Sequence, residues 1–188
     1  TTGLTSGTQM KLKAEWANQV ANQAATYVTG DRTSTITVTD DGVINDGDGV
    51  PSKLVDGVTN SNAPHATTFF GIAVAGKYIR FQFSTSQVIT EAKWYQNSTN
   101  VTHGNWKWQG SNDATNWTDI GSSFAMGGTL QTQTELNGNT TAYTYYQLLG
   151  VSGNSSGSPW NGEIEFNHAA TAGVTGKETR LHGWAVNY

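Results

Sequence analysis

The feature that most constrains this chain is a succession of short alternating runs between Pro51 and Phe166, each cut off by a turn cluster. Tyr78-Ile-Arg-Phe-Gln-Phe83 alternates cleanly, and Val88 to Tyr95, Trp106 to Gln109, Tyr143 to Leu149 and Glu163 to Phe166 follow. A period of two places the apolar members of each run on one face of a strand, which must then be covered by another sheet. Turn-forming stretches such as Ser111-Asn-Asp113 and Ser152 to Ser158 separate the runs. This spacing predicts an all-β sandwich or jelly roll. Upstream, Ser34 to Asn45 alternates around Asp41-Gly42 and predicts two strands about a tight turn. The 22 glycines and 3 prolines suit a turn-rich β protein.

One segment breaks the pattern. From Thr8 to about Val28, the residues Met10, Ala14, Ala17, Ala21, Ala24 and Val28 fall at helical spacing, and Trp16 and Val20 widen the stripe. Ser6 or Thr8 can cap the start, and Gly30 follows the end. The expected N-terminal α-helix either packs on the β-domain or forms the stub of a stalk, although its Ala-rich face lacks the large residues of a strong coiled coil. The expected organisation is thus a helix in 1–30, a sandwich in 31–168 and an extension in 169–188. In the last, a small-residue linker precedes a strand at Thr179 to Val186. A chain that begins with Thr reads as one already processed or cut from a longer protein.

Composition narrows the function classes. Net charge is −4, and the 10 Lys and Arg residues are scattered, so no basic footprint exists for nucleic acid. The same scatter excludes a polybasic membrane patch, and no apolar run approaches the roughly 20 residues that span a bilayer. The absence of cysteine excludes disulfide scaffolds, thiolate metal sites and thiol nucleophiles. Charged residues are 13% against a hydrophobic 36%, so Thr, Asn, Ser, Gln and Gly fill the surface. That style points to an extracellular place or a particle surface. No Gly-x-Ser-x-Gly, His-Glu-x-x-His or phosphate loop occurs. His65, His103, His168 and His182 lack metal-ligand spacing, and nothing singles out Glu91 and Glu135 as a carboxylate pair. A non-catalytic role is expected.

The run Trp106-Lys-Trp-Gln-Gly-Ser-Asn-Asp-Ala-Thr-Asn-Trp117-Thr-Asp-Ile120 resembles the discoidin family, the coagulation factor V/VIII type C domains. Two further pieces occur in the family's order: Lys53-Leu-Val-Asp-Gly57, and Tyr143 to Gly150 followed by Gly162-Glu-Ile-Glu-Phe166. The resemblance covers 51–166, and Ala114 stands where the family keeps Gly. It implies a galactose-binding-like β-sandwich with a calcium ion (Ca2+) between the early Asp-Gly loop and the last strand. Carried over, the side chains are Asp56 and Glu163, the carbonyls Lys53 and Val58, and the hydroxyl Ser61, where Thr is usual. Glu165 shares a face with Glu163 and could replace it. Asp46-Gly-Asp-Gly49 offers too few oxygens for a calcium loop and reads as a solvated turn. Trp106 and Trp108 share one strand face and read as core, and Trp117 reads as a ring closing one end of it.

The resemblance also places ligand contacts in loops at one end of the sandwich. Reading sugar hydroxyls needs planar hydrogen-bonding groups, and an aromatic face stacks on the apolar side of a pyranose. Tyr95, Asn97, His103 and Asn105 supply these before the signature strand, His65 follows the Asp-Gly loop, and Asn154 and Trp160 precede the last strand. No Arg occurs in these loops, and Arg80 lies within a strand, so an anionic sugar is not favoured there. Phe69-Phe70 could form an apolar spike but has no basic support for lipid. The function expected is non-covalent recognition of a cell-surface or capsular polysaccharide or other glycan, within a phage-like particle or fibre. The alternatives are an accessory module of a multidomain glycosidase and a structural assembly domain that forms a homo-oligomer or larger particle.

Overall fold

The computed structural model of the chain describes residues 25–59 and 63–170. Among them the strands run in order as β1 (Thr26–Val28), β2 (Ile36–Asp40), β3 (Ile44–Asn45), β4 (Thr68–Phe69), β5 (Tyr78–Gln87), β6 (Ile89–Gln96), β7 (Thr102–Ser111), β8 (Thr118–Gly127), β9 (Gln131–Glu135), β10 (Tyr143–Ser152) and β11 (Asn161–His168). A 3₁₀ turn covers Pro51–Val55. One sheet has the order β1-β11-β6-β9, the other β2-β5-β10-β7-β8, and β3 and β4 form a short ribbon. All described pairings are antiparallel. This is the β-sandwich that the alternating runs predict.

The core follows from the period-two pattern. Ile79, Phe81 and Phe83 of β5 point inward with Trp106 and Trp108 of β7, Tyr146 and Leu148 of β10, Trp94 of β6, and Ile164 and Phe166 of β11. Phe166 joins the sheets: its ring centroid lies 5.1 Å from Phe81, 5.3 Å from Phe83 and 6.0 Å from Trp108. Edge-to-face contacts of this kind add to the gain from burial. Each buried indole also finds an acceptor. Trp94 Nε1 donates to Asn161 Oδ1 at 3.0 Å, Trp106 Nε1 to the His103 carbonyl at 2.7 Å, and Trp108 Nε1 to Thr134 Oγ1 at 2.9 Å. An unpaired indole N–H would offset part of the benefit of burying the ring.

Four details differ from the sequence-based expectation. The helix expected to reach Val28 gives way to strand β1, where Thr26, Tyr27 and Val28 pair with His168, Asn167 and Phe166. Pairing satisfies their backbone, β-branched Thr26 and Val28 suit a strand, and Tyr27 donates to Glu91 at 2.6 Å beneath Lys93. The rest of that helix, and the strand expected at 179–186, lie outside the described residues. Second, β2 and β3 flank a turn but do not pair with each other. Asp40 accepts N–H bonds from Gly42, Val43 and Ile44, and the chain leaves the sheet to pair β3 with β4. Third, β8 and β9 were not expected, because Gly121, Ser122, Ser123 and Gly127 dilute the alternation of β8. Fourth, Trp117 does not close the core; its ring lies over Arg80 on the outer face. The signature turn does form, with Ala114 at φ 57 where glycine is free of strain.

Candidate functional site

The loop end is built where β11 begins. Thr67 and Asn161 exchange backbone hydrogen bonds of 3.0 and 2.7 Å, which ties the segment before β4 to the last strand. Trp160, one residue earlier, is pinned to the loop after β6: its N–H donates to Asn97 Oδ1 at 3.0 Å and its carbonyl accepts from Asn97 N–H at 3.0 Å. Trp160 is half-buried beside buried Pro159, on a backbone that these bonds fix. Two contacts expected in separate loops, Asn97 and Trp160, are thus brought together.

The remaining expected contacts divide into three outcomes. His65 is exposed, and its Nδ1 lies 3.0 Å from Asp56 Oδ2, which orients the ring at the rim. Asn105 and Asn154 are exposed on either side of Gly104, whose φ of 81° lets the backbone approach Ser152 and Asn154. Asn105 Nδ2 donates to Ser152 Oγ at 3.0 Å. His103 and Tyr95 require correction. Plain alternation from Trp106 points His103 outward, but the register of β7 shifts between Thr102 and Asn105, and the bulge turns the ring inward. His103 is fully buried, 4.6 Å from the Phe69 ring, with Ser156 N–H donating to Nδ1 at 3.4 Å. Burial pushes its pKa down to about 4, so it is neutral at pH 7 and supports the loop from below. Tyr95 belongs to strand β6, on the outer face of its sheet, where its hydroxyl donates to Glu165 at 2.8 Å.

Sequence reasoning also missed partners. Asp48, read as a solvated turn residue, accepts from Thr68 Oγ1 at 2.6 Å and Asn45 Nδ2 at 2.8 Å. Thr68 adjoins the Thr67–Asn161 bridge, so this carboxylate is fixed beside the loop end. Phe70, half-exposed, holds its place through Ser155 Oγ, which donates to the Phe70 carbonyl. The signal for Asp48 was its spacing from Asn45 in an Asx-type turn.

No family profile matches the sequence, and no curated protein matches it. Solved structures do match in shape. CpGH89CBM32-5 from Clostridium perfringens, solved in complex with GalNAc-β-1,3-galactose, superposes with a TM-score of 0.54 at 15% identity, covering 71% of this chain and 96% of that one. The family 32 carbohydrate-binding module of Clostridium perfringens NanJ, in complex with galactose, gives 0.53 at 9% identity, covering 74% and 98%. Truncated AlyQ, with CBM32 and alginate lyase domains, gives 0.55 at 20% identity, covering 79% and 35%. The fold is that of the discoidin-like carbohydrate-binding modules.

The discoidin-like resemblance implies calcium at Asp56 and Glu163, and the residues present do not fit the ion. Glu163 is fully buried, and both of its oxygens are engaged: Oε1 pairs with Arg32 Nη2, and Oε2 accepts Gly57 N–H at 2.8 Å. Arg32 is 4% exposed and donates also to the carbonyls of Ile164 (2.7 Å) and Gly30 (3.2 Å). The guanidinium therefore takes a carboxylate and two carbonyls, an oxygen set of the kind a hard cation uses. Gly57, at φ 83, allows the approach, since a Cβ there would lie 2.2 Å from Gly30. Asp56 accepts Val58 N–H at 3.1 Å and has Lys53 Nζ at 3.8 Å, so it too is already served by donors and positive charge. Ser61 lies outside the described residues. A divalent ion at Glu163 would face Arg32 directly, and like charges in a buried site repel strongly.

Proposed function

We propose that this discoidin-like module recognises glycans without chemistry, through the loop end centred on Trp160 and Asn97. The observation that carries the reading is the double clamp from Asn97 on the backbone of partly buried Trp160, one residue from the Thr67–Asn161 bridge. Fixed aromatic and amide groups suit a pyranose, because little ordering remains to be done on binding. The neighbours with galactose and GalNAc-β-1,3-galactose in complex support a neutral sugar at such a fold. With 13% charged residues and a Thr- and Asn-rich surface, the setting is extracellular or on the surface of a phage-like particle or fibre. An accessory module joined to a catalytic domain has its own support, since AlyQ carries CBM32 and alginate lyase domains in one chain.

A glycan array probed with the full chain tests the reading. Selective signal is expected on galactose-type glycans, and Trp160→Ala should weaken it at least roughly tenfold, about 1.4 kcal/mol, with the melting temperature preserved. An array without signal, or one indifferent to Trp160→Ala, rejects it.

A further inference from the structure

The outer face of the five-stranded sheet carries a row of groups that the loop end does not use. Thr39, Arg80, Gln147, Gln109 and Asp119 stand opposite one another in register, one each from β2, β5, β10, β7 and β8. Arg80 donates through Nε and Nη2 to Gln147 Oε1 at 3.3 and 3.1 Å. Gln147 Nε2 donates to Gln109 Oε1 at 2.7 Å, and Gln109 Nε2 to Asp119 Oδ1 at 2.5 Å. Lys107 donates to the other Asp119 oxygen at 2.7 Å. The Arg80 guanidinium lies 4.4 Å from the Tyr78 centroid and 4.7 Å from that of Trp117. Both residues are partly exposed.

A merely solvated sheet face needs mobile polar side chains, and locking Arg and Gln side chains costs rotamer entropy. Locked planar groups beside partly exposed rings suit a binding surface, since ordering done in advance is not charged to the ligand. Strand spacing makes the row about 19 Å long, enough for several sugar rings. Its charge is also distinctive. Lys107 pairs with Asp119, which leaves Arg80 with no paired anion among the described residues, in a chain whose net charge is −4.

We propose that this face is a second glycan-binding surface, specific for a polysaccharide containing uronic acid. Trp117 and Tyr78 stack on pyranose rings, Arg80 pairs with the sugar carboxylate, Gln109 reads hydroxyls, and buried Gln147 positions Arg80. The lack of Arg in the loops disfavours acidic sugar at the loop end only; Arg80 brings that charge to the sheet. The surface needs neither Trp160 nor Asn97, so the two sites fail independently.

Isothermal titration of the full chain at low salt, with tetragalacturonate and uncharged galactotetraose, tests the assignment. Tetragalacturonate is expected to bind, to weaken with added salt, and to shift the Trp117 indole and Gln109 amide resonances. Arg80→Gln and Trp117→Ala should each weaken it at least tenfold, whereas Trp160→Ala leaves it unchanged. Arg80→Gln removes the charge while keeping an amide donor for Gln147, so it decides the matter if Trp117→Ala lowers the melting temperature. Millimolar tetragalacturonate that gives neither heat nor shifts overturns the proposal. So does wild-type binding by Arg80→Gln, or loss of binding in Trp160→Ala, which would assign the acidic sugar to the loop end.

Discussion

Arg32 and Arg80 sit on the same sandwich in opposite circumstances. Arg32 is 4% exposed and is enclosed by the Glu163 carboxylate and the carbonyls of Gly30 and Ile164. Arg80 rests between two rings and donates to the neutral amide of Gln147. The first charge is cancelled inside the fold and fastens the chain before β2 to the last strand. Among the described residues the second has no paired anion. What separates them is the partner: a buried cation is tolerable only with an anion and acceptors around it, whereas an amide and two π faces orient a surface cation and leave its charge standing.

Removing the buried charge is the severest way to break this contrast. Arg32→Met leaves Glu163 buried with a carboxylate and no counter-charge, which should cost about 3–5 kcal/mol in chemical denaturation. Arg32→Met with Glu163→Gln should recover much of that loss, because the stranded charge is then gone. The melting temperature of the unmodified chain should be the same in calcium and in chelator, since a ligand that does not bind the native state cannot stabilise it. A rise with calcium that Glu163→Gln abolishes would show that the ion does reach Glu163 and that Arg32 is not its replacement.

The next test sets a buried neutral group beside the buried charged one. His103 is held well below its ordinary pKa of 6.5, at about 4, by burial, and half-buried His168 is lowered for the same reason. Between pH 6.5 and 4 the unfolded chain therefore takes up protons that the native chain refuses, so stability falls as pH falls through that window. For His103 the shift corresponds to about 3 kcal/mol lost from pH 7 to pH 4. His103→Leu should flatten that part of the pH profile, measured by urea melts at each pH. The depressed carboxylates Asp31, Glu91, Asp113 and Asp119 add their own loss as pH falls through the ordinary carboxylate range, from about pH 5 downward, so the histidines are read in the part of the profile above that.

The sandwich was legible because period-two alternation is local: Ile79, Phe81 and Phe83 announce their face within six residues. The Trp106–Ile120 motif was legible for a similar reason, since Ser111 and Asp113 build their turn from adjacent N–H groups. The loop-end pair Asn97 and Trp160 could be named from the resemblance, though its clamp could not. What failed was long-range or depended on one backbone irregularity. Arg32 meets Glu163 across 131 positions, and no pattern near either residue announces the other. His103 was read as a loop residue because a bulge at Gly104 inverts its face, and bulges leave little trace beyond a glycine. Tyr95 was rightly expected to end a strand, but as a ligand contact it fails, because it stands on the outer face of the sheet with its hydroxyl on Glu165.

The smallest effect is the one that separates binding from stability at Arg80. Arg80→Gln removes two cation–π contacts, with Tyr78 and Trp117, which should lower stability by only about 1–2 kcal/mol. The amide can still donate toward Gln147, and the core residues on either side, Ile79 and Phe81, are untouched. If the outer row exists chiefly to hold the sheet together, the loss should instead approach that of a core cavity, about 2–5 kcal/mol, because the relay through Gln147, Gln109 and Asp119 would collapse with it. A denaturation midpoint close to that of the unmodified chain, together with unchanged Gln109 and Gln147 amide resonances, would mean that the row keeps its order without the guanidinium. The cation would then be dispensable to the fold, and its position over two partly exposed rings would have to be explained by what it meets outside.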